Sequence, residues 1–388
     1  MTAVPYGRDV AVGARRERRA LVSFVRHLDL ALIGSAIALA LIGVVMVYTA
    51  SRPGLVSNGL NPHRDLERQA LWMVIGIVVM VVVAAIDYRH FQQWGYVIYG
   101  LVLCSLVGVF VIGKSAYGSQ RWYQLGPLQL QPSEFAAIGL IIAVATFCGR
   151  RTGVLALRET LGLILLAGIP LVLVYKQPDL GTTIILGVTL AAMLLAAGVR
   201  MRYLLILFLV VVGGFVAAIH LHFLQGYQLQ RLTSFLHQNT GIRSTNYDLT
   251  MSKNAISSGG LPGTGIGHGA ATNLSFVPNQ ETDFIFSAVG EQLGFIGSAV
   301  VIGLFGIMAL RMLRAAQMAR DTFGRLVAAG ALAFLAFSVF ENIGMTIGIT
   351  PITGIPLPFI SYGGSASFAF FATVGLVVNV ELRRFARR

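Results

Sequence analysis

Val277-Pro-Asn-Gln-Glu-Thr-Asp283-Phe-Ile-Phe-Ser-Ala-Val-Gly-Glu291-Gln-Leu-Gly-Phe-Ile-Gly297 carries a long polar stretch directly into an apolar one. The apolar run continues from Phe284 to about residue 310, more than the roughly 20 residues a helix needs to cross a bilayer. Asp283 therefore stands at the mouth of a membrane helix, and Glu291 lies inside it. An acid at that depth is costly unless it has partners. Asp283 has two readings: a helix cap, for which Thr282 and Asp283 are both suited, or a carboxylate placed for chemistry at the membrane surface.

Outward from this junction the same pattern repeats. The 388 residues are 56% hydrophobic and only 12% charged, too apolar for a soluble domain. Apolar runs near 29–48, 71–86, 96–113, 133–148, 158–175, 181–198, 203–219, 284–310, 326–348 and 367–380 predict an all-α integral membrane protein. It has about ten transmembrane helices and one large extracytoplasmic loop, about 221–283. The expected organisation is a basic cytoplasmic tail, 1–28, followed by a single membrane domain, 29–388. The first run is longer than a signal-peptide core and reads as an uncleaved anchor.

Most of the 29 Lys and Arg residues fall on segments that share a side if both termini are cytoplasmic, as the inside-positive rule requires. The net charge of +13 is thereby explained without a nucleic-acid partner. The run Arg15-Arg16-Glu17-Arg18-Arg19 can touch anionic membrane lipids, or serve only to set topology. Cys104 and Cys148 fall in apolar runs, and the histidines lack ligand spacing, so neither a disulfide nor a structural metal is implied. In the large loop, 246–257 can form an amphipathic helix lying on the bilayer. Ser258-Gly-Gly-Leu-Pro-Gly-Thr-Gly-Ile-Gly-His-Gly269 follows, without the strand or the complete spacing of a dinucleotide fingerprint.

Three further exterior segments hold polar residues that a plain bundle would not need. In the first, Arg121-Trp122 precedes Gln131-Pro-Ser-Glu134, which reads as the opening turn of a helix. The second, Lys176-Gln-Pro-Asp179-Leu-Gly181-Thr, is a hairpin; a local Lys176–Asp179 pair with a helix cap is its bland reading. The third, 351–367, is too rich in Pro and Gly for a helix, and such backbone at membrane depth survives only against protein or a wet cavity. Exterior cations at Arg52, Arg121 and Lys176 suit an anionic headgroup such as a pyrophosphate. Carboxylates at Glu134, Asp179 and Asp283 suit a base or a divalent cation, Mg or Mn. The expectation is a polar cavity open to the outer leaflet, taking an amphiphile with a phosphorylated head.

These segments, with Thr282-Asp283-Phe-Ile-Phe286, Glu291 and Gly354-Ile-Pro-Leu-Pro-Phe-Ile-Ser-Tyr-Gly-Gly-Ser365, closely resemble the SEDS family (shape, elongation, division and sporulation) of membrane glycosyltransferases. The resemblance implies polymerisation of lipid II into peptidoglycan glycan strands at the bacterial plasma membrane, with Asp283 as general base. It implies a heterodimer with a class B penicillin-binding protein, a transpeptidase. The candidate substrate-binding set is Arg52, Arg121, Trp122, Gln131, Ser133, Glu134, Lys176, Asp179, Ser361 and Tyr362. Asn342-Ile-Gly-Met-Thr-Ile-Gly348 resembles the elongation branch more than the division branch. One departure is Ala137, where the family usually carries a lysine, whose work would pass to Arg121 or Lys176. The rival readings are a lipid II flippase and a non-catalytic scaffold.

Overall fold

All ten predicted runs are helices in the computed structural model, which describes residues 28–116, 119–125, 128–151, 153, 155–220, 235 and 246–384. The basic tail before residue 28, and the large loop across 221–245 apart from residue 235, lie outside the described residues. The membrane helices are α1 (Leu30–Ser57), α2 (Arg64–Ala85), α4 (Gly95–Ile112), α5 (Pro132–Gly149), α6 (Leu157–Lys176), α7 (Leu180–Ala196) and α8 (Met201–His220). A short α3 (Tyr88–Gln93) precedes α4; α11 (Ile285–Met318), α12 (Thr322–Ile347) and α13 (Gly364–Arg383) complete the bundle. Eight are long and apolar enough to cross a membrane, and shorter apolar helices span Leu180–Ala196 and Met201–Gly214.

The predicted end of α1 near residue 48 falls short. The helix runs on through Pro53 to Ser57, and the Asn58 side chain donates to the Gly54 carbonyl at 2.7 Å. The largely buried α13 packs along α2. Glycines allow the two backbones to approach, as small residues do in membrane bundles: a β-carbon at Gly375 would meet the Met80 carbonyl oxygen at 2.6 Å. At the end that carries both termini of the bundle, Asp29 caps α1 and pairs with Arg311. There Arg383 also donates to the carbonyls of Ala84 and Ala85, at 3.1 and 2.8 Å, closing the end of α2.

One element departs from the all-α expectation. β1 (Lys114–Ala116), β2 (Ser119–Leu125) and β3 (Leu128–Leu130) form an antiparallel meander in the order β1-β2-β3, with Trp122 opposite Lys114 and Tyr123 opposite Leu130. It spans the exterior polar segment around Arg121-Trp122, and leads directly into Pro132, the first residue of α5.

The large loop also differs from expectation. The amphipathic segment is a helix, α9 (Tyr247–Ser258), whose buried face packs on α11 and α12. Its Leu249, Ser252 and Ala255 are buried, and Ser252 donates to the Thr346 carbonyl at 2.8 Å. The glycine-rich segment after it is stitched into a break in α11. At Gly294 the backbone leaves the helical region (φ 64°, ψ −162°), a conformation that strongly favours glycine. The orphaned helical groups find partners in the loop: Thr264 and Gly265 donate to the carbonyls of Glu291 and Gln292, each at 3.0 Å. In return, Phe295 and Ile296 donate to those of Gly260 and Leu261, at 2.9 and 3.2 Å. Helix ladder is thus exchanged for loop ladder, as buried backbone requires.

Candidate active site

Chain direction places the meander, the α6–α7 hairpin, the large loop and the α12–α13 connection at one end of the bundle, opposite the end that holds Asp29 and Arg383. Two polar groupings form there.

The first joins the starts of α5 and α7. Asp179 caps α7, accepting from the Thr182 amide at 3.1 Å through Oδ1, while its Oδ2 accepts from Gln131 Nε2 and Ser133 Oγ, both at 3.2 Å. All three side chains are buried. The alternative of a local Lys176–Asp179 pair is not realised: Lys176 is exposed, and no ion pair joins them among the described residues. Half-buried Glu134 lies close enough to Asp179 for the two carboxylates to repel. Arg121, on β2, donates through Nε to the Gln177 carbonyl at 2.7 Å and through its terminal nitrogen to the Pro178 carbonyl. It thereby holds the hairpin that presents Asp179, and a guanidinium retains further donors for a ligand. Trp122 is half-buried beside it. Ala137 is buried in the core, so a lysine there would need its neighbours to move.

The second grouping surrounds Asp283, which is half-buried in the turn before α11. The Asn342 side chain donates to the Asp283 carbonyl at 2.8 Å and to the Ile355 carbonyl at 2.7 Å. Ser361 Oγ donates to the Thr282 carbonyl at 2.5 Å and accepts from the Leu357 amide at 2.8 Å; the Tyr362 amide donates to the Glu281 carbonyl at 2.9 Å. The Tyr362 hydroxyl donates to Asp65 at 3.1 Å and its ring packs on Trp72. Ser361 and Tyr362, expected to bind substrate, thus anchor the Asp283 turn to the connection and to α2. The Asp283 carboxylate rests against Gly354, where an added β-carbon would lie 3.2 Å from Oδ2.

The 351–363 connection ties the groupings together. Gly181, two residues beyond Asp179, packs against Ile355 and the Thr353 carbonyl. Ser365 donates to the Gln129 carbonyl at 2.9 Å and accepts from the Gln131 amide at 3.0 Å. Arg52 stands apart near the end of α1, exposed, over the Tyr48 ring. Glu291 has the partners its depth demands: the Ala271 and Thr272 amides at 2.7 and 3.0 Å and the Thr272 hydroxyl at 2.6 Å. It fastens the short α10 (Ala270–Asn273) and so serves structure rather than chemistry. Asn342, Ser365 and Glu281 were not among the candidates. A polar amide within an apolar helix was the available signal for Asn342.

As a cage for a divalent cation the site is incomplete. No three His, Cys, Asp or Glu side chains converge among the described residues, and both Asp179 oxygens already accept hydrogen bonds.

A membrane bundle with carboxylates gathered at one end, on a rigid backbone knot, defines a polytopic protein with a polar site at the membrane surface. The chain belongs to the SEDS family: the FtsW/RodA/SpoVE cell cycle protein model matches residues 29–385. It is 35% identical over 358 residues to the peptidoglycan glycosyltransferase MrdB of Escherichia coli K12, covering 92% of this chain and 94% of that one. To a probable peptidoglycan glycosyltransferase FtsW of Geobacter metallireducens it is 35% identical over 366 residues, covering 92% and 96%. Among solved structures it resembles the rod shape determining protein RodA of Thermus thermophilus (TM-score 0.69, 28% identity, 93% and 98% covered). It also resembles a chain from a peptidoglycan synthase complex that coordinates polymerisation and crosslinking (TM-score 0.79, 28% identity, 93% and 99% covered).

Proposed function

We propose that this protein is a peptidoglycan glycosyltransferase that polymerises lipid II at the outer face of the bacterial plasma membrane, with both termini cytoplasmic. The observation that carries the reading is Asp283, a carboxylate at a helix mouth whose main chain is fixed by Asn342, by Ser361 through Thr282 and by Tyr362 through Glu281. A base fixed in this way avoids reorganisation as it takes up a proton.

In the reaction, the acceptor's 4-hydroxyl attacks the anomeric carbon of the donor sugar. The new C–O bond forms as the bond to undecaprenyl pyrophosphate breaks, with inversion, and the hydroxyl proton passes to Asp283. Arg121, which binds the Asp179 hairpin, and Lys176, which begins it, are assigned to the departing pyrophosphate, with Arg52 further out. Gln131, Ser133 and Asp179 position that wall; Glu134 faces the substrate, and any divalent cation would take most of its oxygen ligands from the pyrophosphate. A class B penicillin-binding protein is the expected partner, supported by the likeness to a synthase-complex chain. The elongation role rests on the Asn342–Gly348 motif.

The test is incubation of the purified protein, with its partner, with purified lipid II. Glycan strands resolved by gel are expected; translocation of lipid II without any polymer would support the flippase reading instead.

A further inference from the structure

Beside the Asp283 turn, the last turns of α1, the start of α2 and residues 275–281 enclose a cleft of about 300 Å³. Asn58 and Asn279 form an exposed rim, while Ser51 and Gln280 form a buried floor, 7% and 2% exposed. On that floor Ser51 Oγ and Gln280 Oε1 are buried without a hydrogen-bond partner among the described residues. The Gln280 amide nitrogen is spent on Ser287 Oγ at 3.1 Å, so the carbonyl oxygen is the end left over. Leaving such an acceptor unmet costs stability, which marks a place where a donor is missing.

The remaining functional groups are of matching kind. Asp65 and Glu281 both line the cleft, and among the described residues no Lys, Arg or His does. Arg68, one turn beyond Asp65, reaches the Tyr362 hydroxyl. Burial lifts the Glu281 carboxyl above the ordinary carboxylate range, and the charge of Asp65 adds to the rise. A pyrophosphate would be repelled here. A divalent ion finds no three carboxylate, imidazole or thiolate ligands converging among the described residues. A group with a single positive charge and several N–H donors satisfies two carboxylates, an amide oxygen and a hydroxyl together.

We propose that this cleft binds a primary ammonium group on the peptide stem of lipid II, the lipid-linked disaccharide-pentapeptide that the family resemblance implies as substrate, holding the stem beside the catalytic turn. The inference rests on the polymerase reading. Glu281 is two residues from Asp283, and its carbonyl accepts from Tyr362, so an occupant of the cleft touches the segment that sets the base.

The test uses the full-length protein in complex with its partner in detergent and two lipid II preparations, one with a free side-chain amine on its stem and one N-acetylated there. Affinity is read by fluorescence anisotropy, without turnover, and polymerisation is measured separately on the same preparation. Acetylation is expected to weaken wild-type binding about tenfold, the scale of one charged hydrogen bond. Glu281→Gln should shrink that difference to about twofold or less, and Ser51→Ala should reduce it in part. Equal wild-type affinity for the two preparations overturns the proposal, as does undiminished discrimination in Glu281→Gln. If phosphatidylethanolamine abolishes the discrimination, the occupant is a lipid headgroup and the assignment to the stem falls. A preparation that discriminates but makes no polymer upholds the cleft and overturns the polymerase reading.

Discussion

Asn342 and Asp283 are joined through the main chain: one amide nitrogen of Asn342 donates to the Asp283 carbonyl at 2.8 Å and to the Ile355 carbonyl at 2.7 Å. The acid before α11 and the connection after α12 are therefore held by a single side chain. Asn342→Leu should leave two carbonyls unmet, at about 1–3 kcal/mol each. Thermal unfolding should show a lowered midpoint, and kcat for polymerisation should fall more than KM rises.

Asp179 accepts from three donors, one of which is the start of its own helix. Asp179→Ala removes the cap and strands Gln131 and Ser133, so a loss of about 2 kcal/mol or more is expected. Asp179→Asn should keep the cap but turn an amide toward donors, giving a smaller stability loss with activity still reduced. Denaturation of the two variants side by side checks the order.

Gly294→Ala should be among the most damaging changes far from the chemistry. The position has φ 64°, and a β-carbon would sit 2.6 Å from the Leu261 carbonyl oxygen. The exchange of hydrogen bonds between residues 260–265 and the helix break would be forced apart. Limited proteolysis should cut within 259–269 in the variant and spare the wild type, and polymerisation should fall with it.

Glu281 gives the stability a pH dependence. Its carboxyl is raised above the ordinary value of 4.5 by burial, with Asp65 adding to the rise. The neutral form is therefore the one the fold favours. Its contribution is complete below 4.5 and is lost as pH rises through the raised value. Glu281→Gln should flatten this part of a melting-temperature profile and leave the protein no less stable at neutral pH.

Much of the fold is legible because a bilayer imposes a length and a polarity on every span. All ten apolar runs read from the sequence are helices, and Pro132 opens α5 as its position suggests. The polar residues at 121–134, 176–181 and 283 stand out because they are costly where they are. Their partners do not stand out. Gln131 meets Asp179 across 48 residues, and Glu291 meets Thr272 across 19, pairings that no local rule yields. The local reading of the hairpin combined a Lys176–Asp179 pair with a helix cap: Asp179 does cap its helix, but it meets Gln131 and Ser133 rather than Lys176. Gly294 reads as one more glycine in an apolar run until the loop that fills its break is seen. The meander at 114–130 is short: Leu128-Gln-Leu130 alternates after Gly126-Pro127, but three residues are too few to mark a strand on their own.

The central claim is that Asp283 is the base for glycan polymerisation. Asp283→Asn keeps the shape of the side chain and the main-chain contacts to Asn342, but cannot accept a proton at neutral pH. The decisive measurement is the rate of strand formation from purified lipid II by the variant in complex with its partner. A fall of roughly 10²- to 10⁴-fold is expected, with thermal stability and partner binding unchanged. Strands made at the wild-type rate would contradict the assignment.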